Sequence, residues 1–392
     1  MSARVAVSEP GQALLYLASL PLLIWLYLLG LRGGFWRVRL LLPPAPPPAF
    51  MPRPARVVAV VPARNEADVI ADAVGSLLDQ RFEGSLHVIV VDDASTDGTG
   101  DIARQAGERA GASGRLSVIR GSGPLPGWSG KVCAMARGVD AAQELAPDYL
   151  LFTDADIHHD PDNVASLLAI AQTRGSDLTS YMVRLSTANA AERWLIPAFV
   201  FFFFKLYPPA WIGRAGATAG AAGGCMLVRP QALARSGGLA AIRGEIIDDC
   251  SLARSIKRSG GSLWLGLTRS ARSLRPYGSL AEIGGMISRT AFNQLRHSWL
   301  LLAGTLLGLA LTYLAPPLLL LSRQLALMTL GGSAWLLMTL AYLPMVRFYG
   351  QSPAWALSLP AAAVFYAGAT FHSAIQYARG AGGRWKGRAQ DT

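Results

Sequence analysis

Apolar positions along the chain fall into two regimes. Gly11–Leu31 carries no charge and closes on Arg32, Arg37 and Arg39, and an uncharged run of about 21 residues is long enough to cross a hydrocarbon core. A cleaved signal would have a shorter apolar core ending at a small-residue site. The run therefore predicts a retained anchor at the N-terminus, with the arginines placing the following segment in the cytoplasm. Long apolar blocks recur at Trp299–Leu321, Leu325–Val346 and about Ala354–Ile375, each long enough to span. Three crossings there would put the C-terminus outside, against the positive-inside bias of Arg379, Arg384, Lys386 and Arg388. Pro316-Pro317 and the "GGS" at Gly331–Ser333 would let one block be broken or re-entrant.

Between Arg56 and about Arg275 the period changes. "RVVAVVPA" and "LHVIVVDDAS" are unbroken apolar runs of the kind buried on both faces of a parallel sheet, followed by "SVI" and "YLLFTDAD". "ADVIADAVGSLLDQ" and "KVCAMARGVDAAQEL" have helical spacing between them. This alternation predicts an α/β domain with an open, mostly parallel sheet, which binds ligands outside the carboxyl ends of its strands. "LIPAFVFFFFKLYPPAW", Leu195 to Trp211, interrupts it; this run is short for a span and either docks on the bilayer or packs as an internal helix. Leu280, Ile283, Ile287, Phe292 and Leu295 form one apolar side of an interfacial helix. The resulting map is an anchor at 1–42, a Pro-rich linker at 43–55, the α/β domain at 56–275, the amphipathic helix at 276–298, transmembrane helices at 299–378 and a basic tail at 379–392.

Polar residues gather at the predicted strand ends. The first strand ends in "PARNE", the second in "DDASTDGT", the fourth in "DAD". Single endings of this kind are turns and helix caps, and Asp97 is read as such a cap. Asp154 and Asp156 point the same way at a strand end, and two such oxygen donors suit Mg²⁺ or Mn²⁺ bound to a diphosphate. His158 and His159, next along, read as loop or capping residues, since hard cations prefer oxygen. In "GEIIDDCSLARSIKRSGG" a helix beginning near Asp248 puts Leu252 and Ile256 on one face and leaves Asp248 and Asp249 at its N-terminus; they are either cap and first-turn acids or a functional pair.

The net charge of +11 over 392 residues is accounted for by basic residues flanking membrane segments, and no aromatic-basic alternation points to nucleic acid. Cys133, Cys225 and Cys250 have neither metal-ligand nor paired spacing and read as free thiols of a reducing compartment.

Taken together, "PARNE", "VVDDASTDGT", "GWSGK", "DAD" and "IIDDCSL" resemble the family 2 glycosyltransferases, and "GWSGK", "AMARGV", "AGAAGGCMLVRP" and "RTAFNQLRHSWLLLAGTLLG" are similar to their hopene-associated members, encoded with hopanoid-biosynthesis genes. The resemblance covers nearly the whole chain. It implies a GT-A nucleotide-diphospho-sugar transferase fold with N-terminal and C-terminal transmembrane helices, in the bacterial inner membrane with the catalytic domain facing the cytoplasm. It implies that Ala63 and Glu66 lie near the nucleoside, that Asp92 or Asp93 contacts base or ribose, and that Lys131 approaches the donor phosphates together with Asp154. Independently, a lysine at a helix start suits an anion, although a solvated surface lysine has the same spacing. "DDxxL" matches the family segment whose second acid, here Asp249, is the catalytic base; Asp248 stands where the family more often has Glu. Processive synthases of this kind carry Gln-x-x-Arg-Trp, whereas Gln294 is followed by His297 and Trp299 falls one residue late, which counts against a polymerase. Arg289, Gln294 and Arg296 can contact either diphosphate or lipid phosphates.

The expectation is an inverting, metal-dependent transferase moving one sugar to a membrane lipid, a hopanoid by resemblance alone. The rivals are a polyprenyl-phosphate or ceramide-type lipid glycosyltransferase and a catalytically silent accessory protein with the same fold.

Overall fold

A computed structural model describes residues 9–44, 53–380, 384–385 and 388–389. The Pro-rich stretch at 45–52 and most of the basic tail lie outside the described residues. The chain divides into two compact units, one of residues 39–188 and 207–278 with the C-terminal tail, the other of residues 1–38, 189–206 and 279–379.

The first unit is built on an 8-stranded sheet in the order β3-β2-β1-β4-β7-β6-β8-β5. Its strands are β1 (Ala55–Ala63), β2 (Gly84–Asp92), β3 (Leu116–Arg120), β4 (Tyr149–Phe152), β5 (Ile157–His159), β6 (Leu178–Arg184), β7 (Met226–Val228) and β8 (Leu263–Ser273). β3, β2, β1 and β4 run parallel, and the unbroken apolar runs of β1, β2 and β4 are those of strands covered on both faces. The predicted helices appear as Ile70–Leu78 and Gly130–Ala142. The second of these lies directly on β1: a Cβ added at Gly138 would stand 2.4 Å from Val60 Cγ1, so only glycine permits that approach.

Beyond β4 the sheet is mixed. β7 is antiparallel to both β4 and β6, β8 is parallel to β6, and β5 is antiparallel to β8. The carboxyl ends of β1, β2, β4, β6 and β8 and the amino end of β7 therefore open on one edge. This is where the acidic segments sit.

The second unit holds the apolar helices. By length and composition, five helical runs among the described residues can cross a membrane: Gln12–Gly30, Ala190–Ile212, Trp299–Leu320, Leu325–Phe348 and Pro353–Ala378. The sequence map placed 189–206 inside the α/β domain; the structure groups it instead with the terminal helices, and Leu195, Ile196, Phe201 and Phe204 are fully buried. The block starting at Trp299 is broken, by a π-helical turn at Ala310–Leu314 ahead of Pro316-Pro317. The short helix that follows presses on Gly331, where a Cβ would meet Pro316 O and Leu319 Cβ at 2.6 Å. Tyr313 meets Trp25 and Phe202 edge to face, with centroids 5.7 and 5.4 Å away, and Lys205 donates to Tyr313 Oη at 2.9 Å. The expected amphipathic helix is Leu280–Ser288 followed by Ala291–Gln294, with Ile283, Ile287 and Phe292 buried and Leu280 exposed.

Candidate functional site

At the open edge, Lys131 joins two acidic segments. It sits in the first turn of the Gly130–Ala142 helix, and its Nζ lies 2.8 Å from Asp154 Oδ1 and 3.1 Å from Asp248 Oδ2. Burial alone would lower this ammonium, but the charges of Asp154 and Asp248, with Asp249 behind them, outweigh it and hold the pKa raised. The group is a permanent cation at any physiological pH.

Asp248 and Asp249 open the Asp248–Arg258 helix, and Leu252 and Ile256 on its inner face are fully buried. Asp249 accepts the backbone N–H of Gly223 at 2.9 Å on one oxygen and that of Cys250 at 2.6 Å on the other. Burial, then the neighbouring charge of Asp248, pushes its pKa up to about 6, against the opposing pull of Lys131 and the two amides. A carboxyl held near neutrality, with fixed orientation, is suited to take a proton.

On the other side, Asp156 is pushed up to about 6 by burial, then by Asp154 and Glu66, with Arg275 opposing. Ser273 Oγ donates to Asp156 at 3.3 Å, and Leu274 N–H donates to the Asp156 carbonyl at 2.7 Å. Arg275 pairs with Glu66. Glu66, Asp154, Asp156, Asp248 and Asp249 thus gather around the cations Lys131 and Arg275, and that crowding of like charge is what a divalent cation would relieve. Among the described residues no cluster of three or more His, Cys, Asp or Glu forms a metal cage. Asp154 and Asp156 fit the two-carboxylate mode in which Mg²⁺ or Mn²⁺ takes its other oxygens from substrate phosphate and water.

The turn bearing these aspartates rests on a buried polar network. His159 contacts Thr153 Oγ1 through Nε2 and Asn163 Nδ2 through Nδ1, both at 2.9 Å. Burial, then His158, lowers its pKa to about 3, so the ring is neutral. Thr153 Oγ1 also donates to Gly224 O at 2.8 Å.

Other candidates fall elsewhere. Asp93 is fully enclosed, with the Arg64 and Arg137 guanidinium nitrogens at 4.0 and 3.5 Å, so its carboxylate is closed to a ligand. Asp92 is half-buried and accepts Ser95 N–H at 3.0 Å. The Ala63 side chain is buried in the sheet, and its carbonyl accepts Asp93 N–H at 2.8 Å. Glu66, expected by resemblance near the nucleoside, lies close enough to Asp156 to raise its pKa and pairs with Arg275. Asp97 Oδ1 accepts Thr99 N–H at 3.1 Å, as a cap would. Gly223, Ser273 and Arg275 were not anticipated: each enters from a strand end in the mixed half of the sheet.

Residues 58–237 match the family Glycosyl transferase family 2. The family 2 stretch takes in Lys131, Asp154 and Asp156 and stops before Asp248. The structure superposes on Mannosyltransferase PcManGT from Pyrobaculum calidifontis, solved in complex with GDP-Man and Mn²⁺, with TM-score 0.53 and 20% identity over 93% of this chain and 96% of that one. The fold is that of a GT-A glycosyltransferase. Glycosyltransferase AglJ of Haloferax volcanii is 33% identical over 118 residues, 30% of this chain and 33% of that protein. Undecaprenyl-phosphate mannosyltransferase of Micrococcus luteus is 34% identical over 118 residues, 30% of this chain and 45% of that protein. The chain thus spans less than half the length of either curated relative.

Proposed function

We propose that this chain is an inverting, metal-dependent glycosyltransferase that moves one sugar from a nucleotide-diphospho-sugar to a lipid acceptor of the bacterial inner membrane. The observation that carries the reading is Lys131 bridging Asp154 and Asp248, because it sets a cation for donor phosphates beside a carboxylate pair for the acceptor.

In this reading Asp249 removes the acceptor hydroxyl's proton as the new bond forms, its orientation fixed by the Gly223 and Cys250 amides. Lys131 turns from its carboxylate partners toward the donor diphosphate and neutralises charge as the nucleoside diphosphate departs. A divalent metal held by Asp154 and Asp156 would supply further neutralisation of that leaving group. One base and one displacement imply inversion at the anomeric carbon. Support for a lipid acceptor comes from the five apolar helical runs and from the likeness to the Micrococcus enzyme. That likeness favours a polyprenyl phosphate as a second reading, whereas the hopanoid acceptor rests on the sequence motifs.

The test is incubation of the full chain in detergent with labelled UDP- and GDP-sugars, Mn²⁺ or Mg²⁺ and a lipid extract of the source membrane. Label should move to lipid and disappear with Asp249→Asn. A product cleaved by mild acid identifies a glycosyl phosphate, and a resistant one a glycoside of a hydroxyl lipid. No transfer with any donor, or full transfer by Asp249→Asn, overturns the reading.

A further inference from the structure

The Leu359–Ala378 helix is long and apolar enough to cross a bilayer, yet its second half, where Ala374 also packs with Leu302 and Leu306, is bonded to a polar companion. Ser288 Oγ donates to Ala369 O at 3.1 Å, Phe292 N–H donates to Ser373 Oγ at 3.0 Å, and the His297 and Tyr377 rings stack with centroids 4.0 Å apart, while nearer its start Tyr366 Oη donates to Leu195 O of the Ala190–Leu206 helix at 2.9 Å. The companion segment, 279–298, carries Glu282, Arg289, Asn293, Gln294, Arg296 and His297. That density of charged and polar side chains does not enter hydrocarbon.

We propose that Leu359–Ala378 lies along the bilayer surface, on the side of the sheet domain, and that the tail from Arg379 onward emerges on that side. Three points of chain geometry support this. Residues 279–298 follow β8, which ends at Ser273, so they begin on the sheet's side of any membrane. The Ala190–Leu206 helix leaves the sheet after β6 and rejoins it at β7, which pairs with β6; with both ends tied to one sheet it cannot cross. His297 and Tyr377 are in ring contact and cannot sit on opposite faces of a layer about 30 Å thick. The chain therefore crosses an even number of times between 298 and 379.

The outer face of the helix fits that position. Val364 and Phe371, 52% and 47% exposed, lie seven residues apart on one side, the spacing of an interfacial apolar stripe. Arg379, Arg384, Lys386 and Arg388 then fall on the cytoplasmic side with the arginines after the first helix, which removes the conflict with the positive-inside bias. The inference rests on membrane attachment and not on the transfer reaction.

Two measurements on the full chain test it. The native cysteines are all buried, so single introduced thiols can be read over a low background. Arg379→Cys should resist a membrane-impermeant maleimide in intact cells and react at least tenfold more in inverted vesicles, as Glu83→Cys on the sheet domain does; labelling from outside, opposite to Glu83→Cys, overturns the proposal. Spin labels at Val364→Cys and Phe371→Cys in lipid nanodiscs should report one shallow depth. A helix crossing the bilayer would separate them by about 10 Å along the normal, and that separation also overturns it.

Discussion

Gly223 and Asp249 are joined by a hydrogen bond from the Gly223 backbone N–H, at 2.9 Å, while the second Asp249 oxygen accepts from Cys250. Each carboxylate oxygen thus accepts one backbone amide, which fixes the orientation of the group. Asp249→Asn replaces one acceptor by an NH₂ group, which opposes an amide donor and cannot take a proton. Transfer should fall by about 10²–10⁴-fold, with donor affinity unchanged in a titration of the nucleotide. Loss of both together would mean that Asp249 organises the donor site instead of acting on the acceptor.

Lys131 holds Asp154 and Asp248 at once. Lys131→Met keeps the length of the side chain and leaves both carboxylates without their cation. With Asp154 partly exposed, the cost is about 1–3 kcal/mol, read as a melting temperature lower by several degrees. Donor affinity should fall as well. Added Mn²⁺ should restore more of the melting temperature than of the affinity, since a metal offsets the repulsion without replacing the lysine's hydrogen bonds to phosphate.

The half of the sheet that was legible in the sequence is the half whose strands run parallel. β1, β2 and β4 are apolar runs that stop abruptly at polar residues, so both strand and strand end could be read, and Asp154 and Asp156 with them, while Lys131 was legible from the helix it opens. β7 is three residues long, and the strands around it pair across long separations that leave no local period. Arg275 reaches Glu66 over 209 residues of sequence, and only the antiparallel insertion of β7 brings Gly223 to Asp249. Asp92 and Asp93 show a different limit. Successive residues of an extended chain face opposite ways, so one of two adjacent acids is buried; the identity of the buried one, Asp93, depends on Arg64 and Arg137, which no spacing rule connects to it.

The acid limb of the transfer rate should carry two separable groups. Asp249 acts only when unprotonated, and its pKa of about 6 predicts activity that drops about tenfold per unit as pH falls below 6. At Asp156, also pushed up to about 6, protons would compete with metal for the carboxylate. Raising Mn²⁺ at constant ionic strength should therefore shift the part of the profile owed to Asp156 to lower pH and leave the part owed to Asp249 in place. A profile that moves entirely with Mn²⁺ would show that metal binding alone sets the limb.

His159 predicts an acid sensitivity of the fold that is independent of catalysis. In the native protein its ring is neutral, with a pKa near 3, whereas in the unfolded chain it takes a proton near 6.5. The depressed value means that its contribution is complete above about pH 6.5 and is lost progressively as pH falls toward 3, because the unfolded state binds the proton first. The upper bound is about 1.4 kcal/mol per pH unit across that window. His159→Gln cannot be protonated but can still bond Thr153 or Asn163, so it should be less stable than the parent at pH 7.5 and lose less on acidification to pH 5. Parallel pH curves for the two proteins, measured by thermal melting in one detergent, would assign the acid sensitivity to other groups.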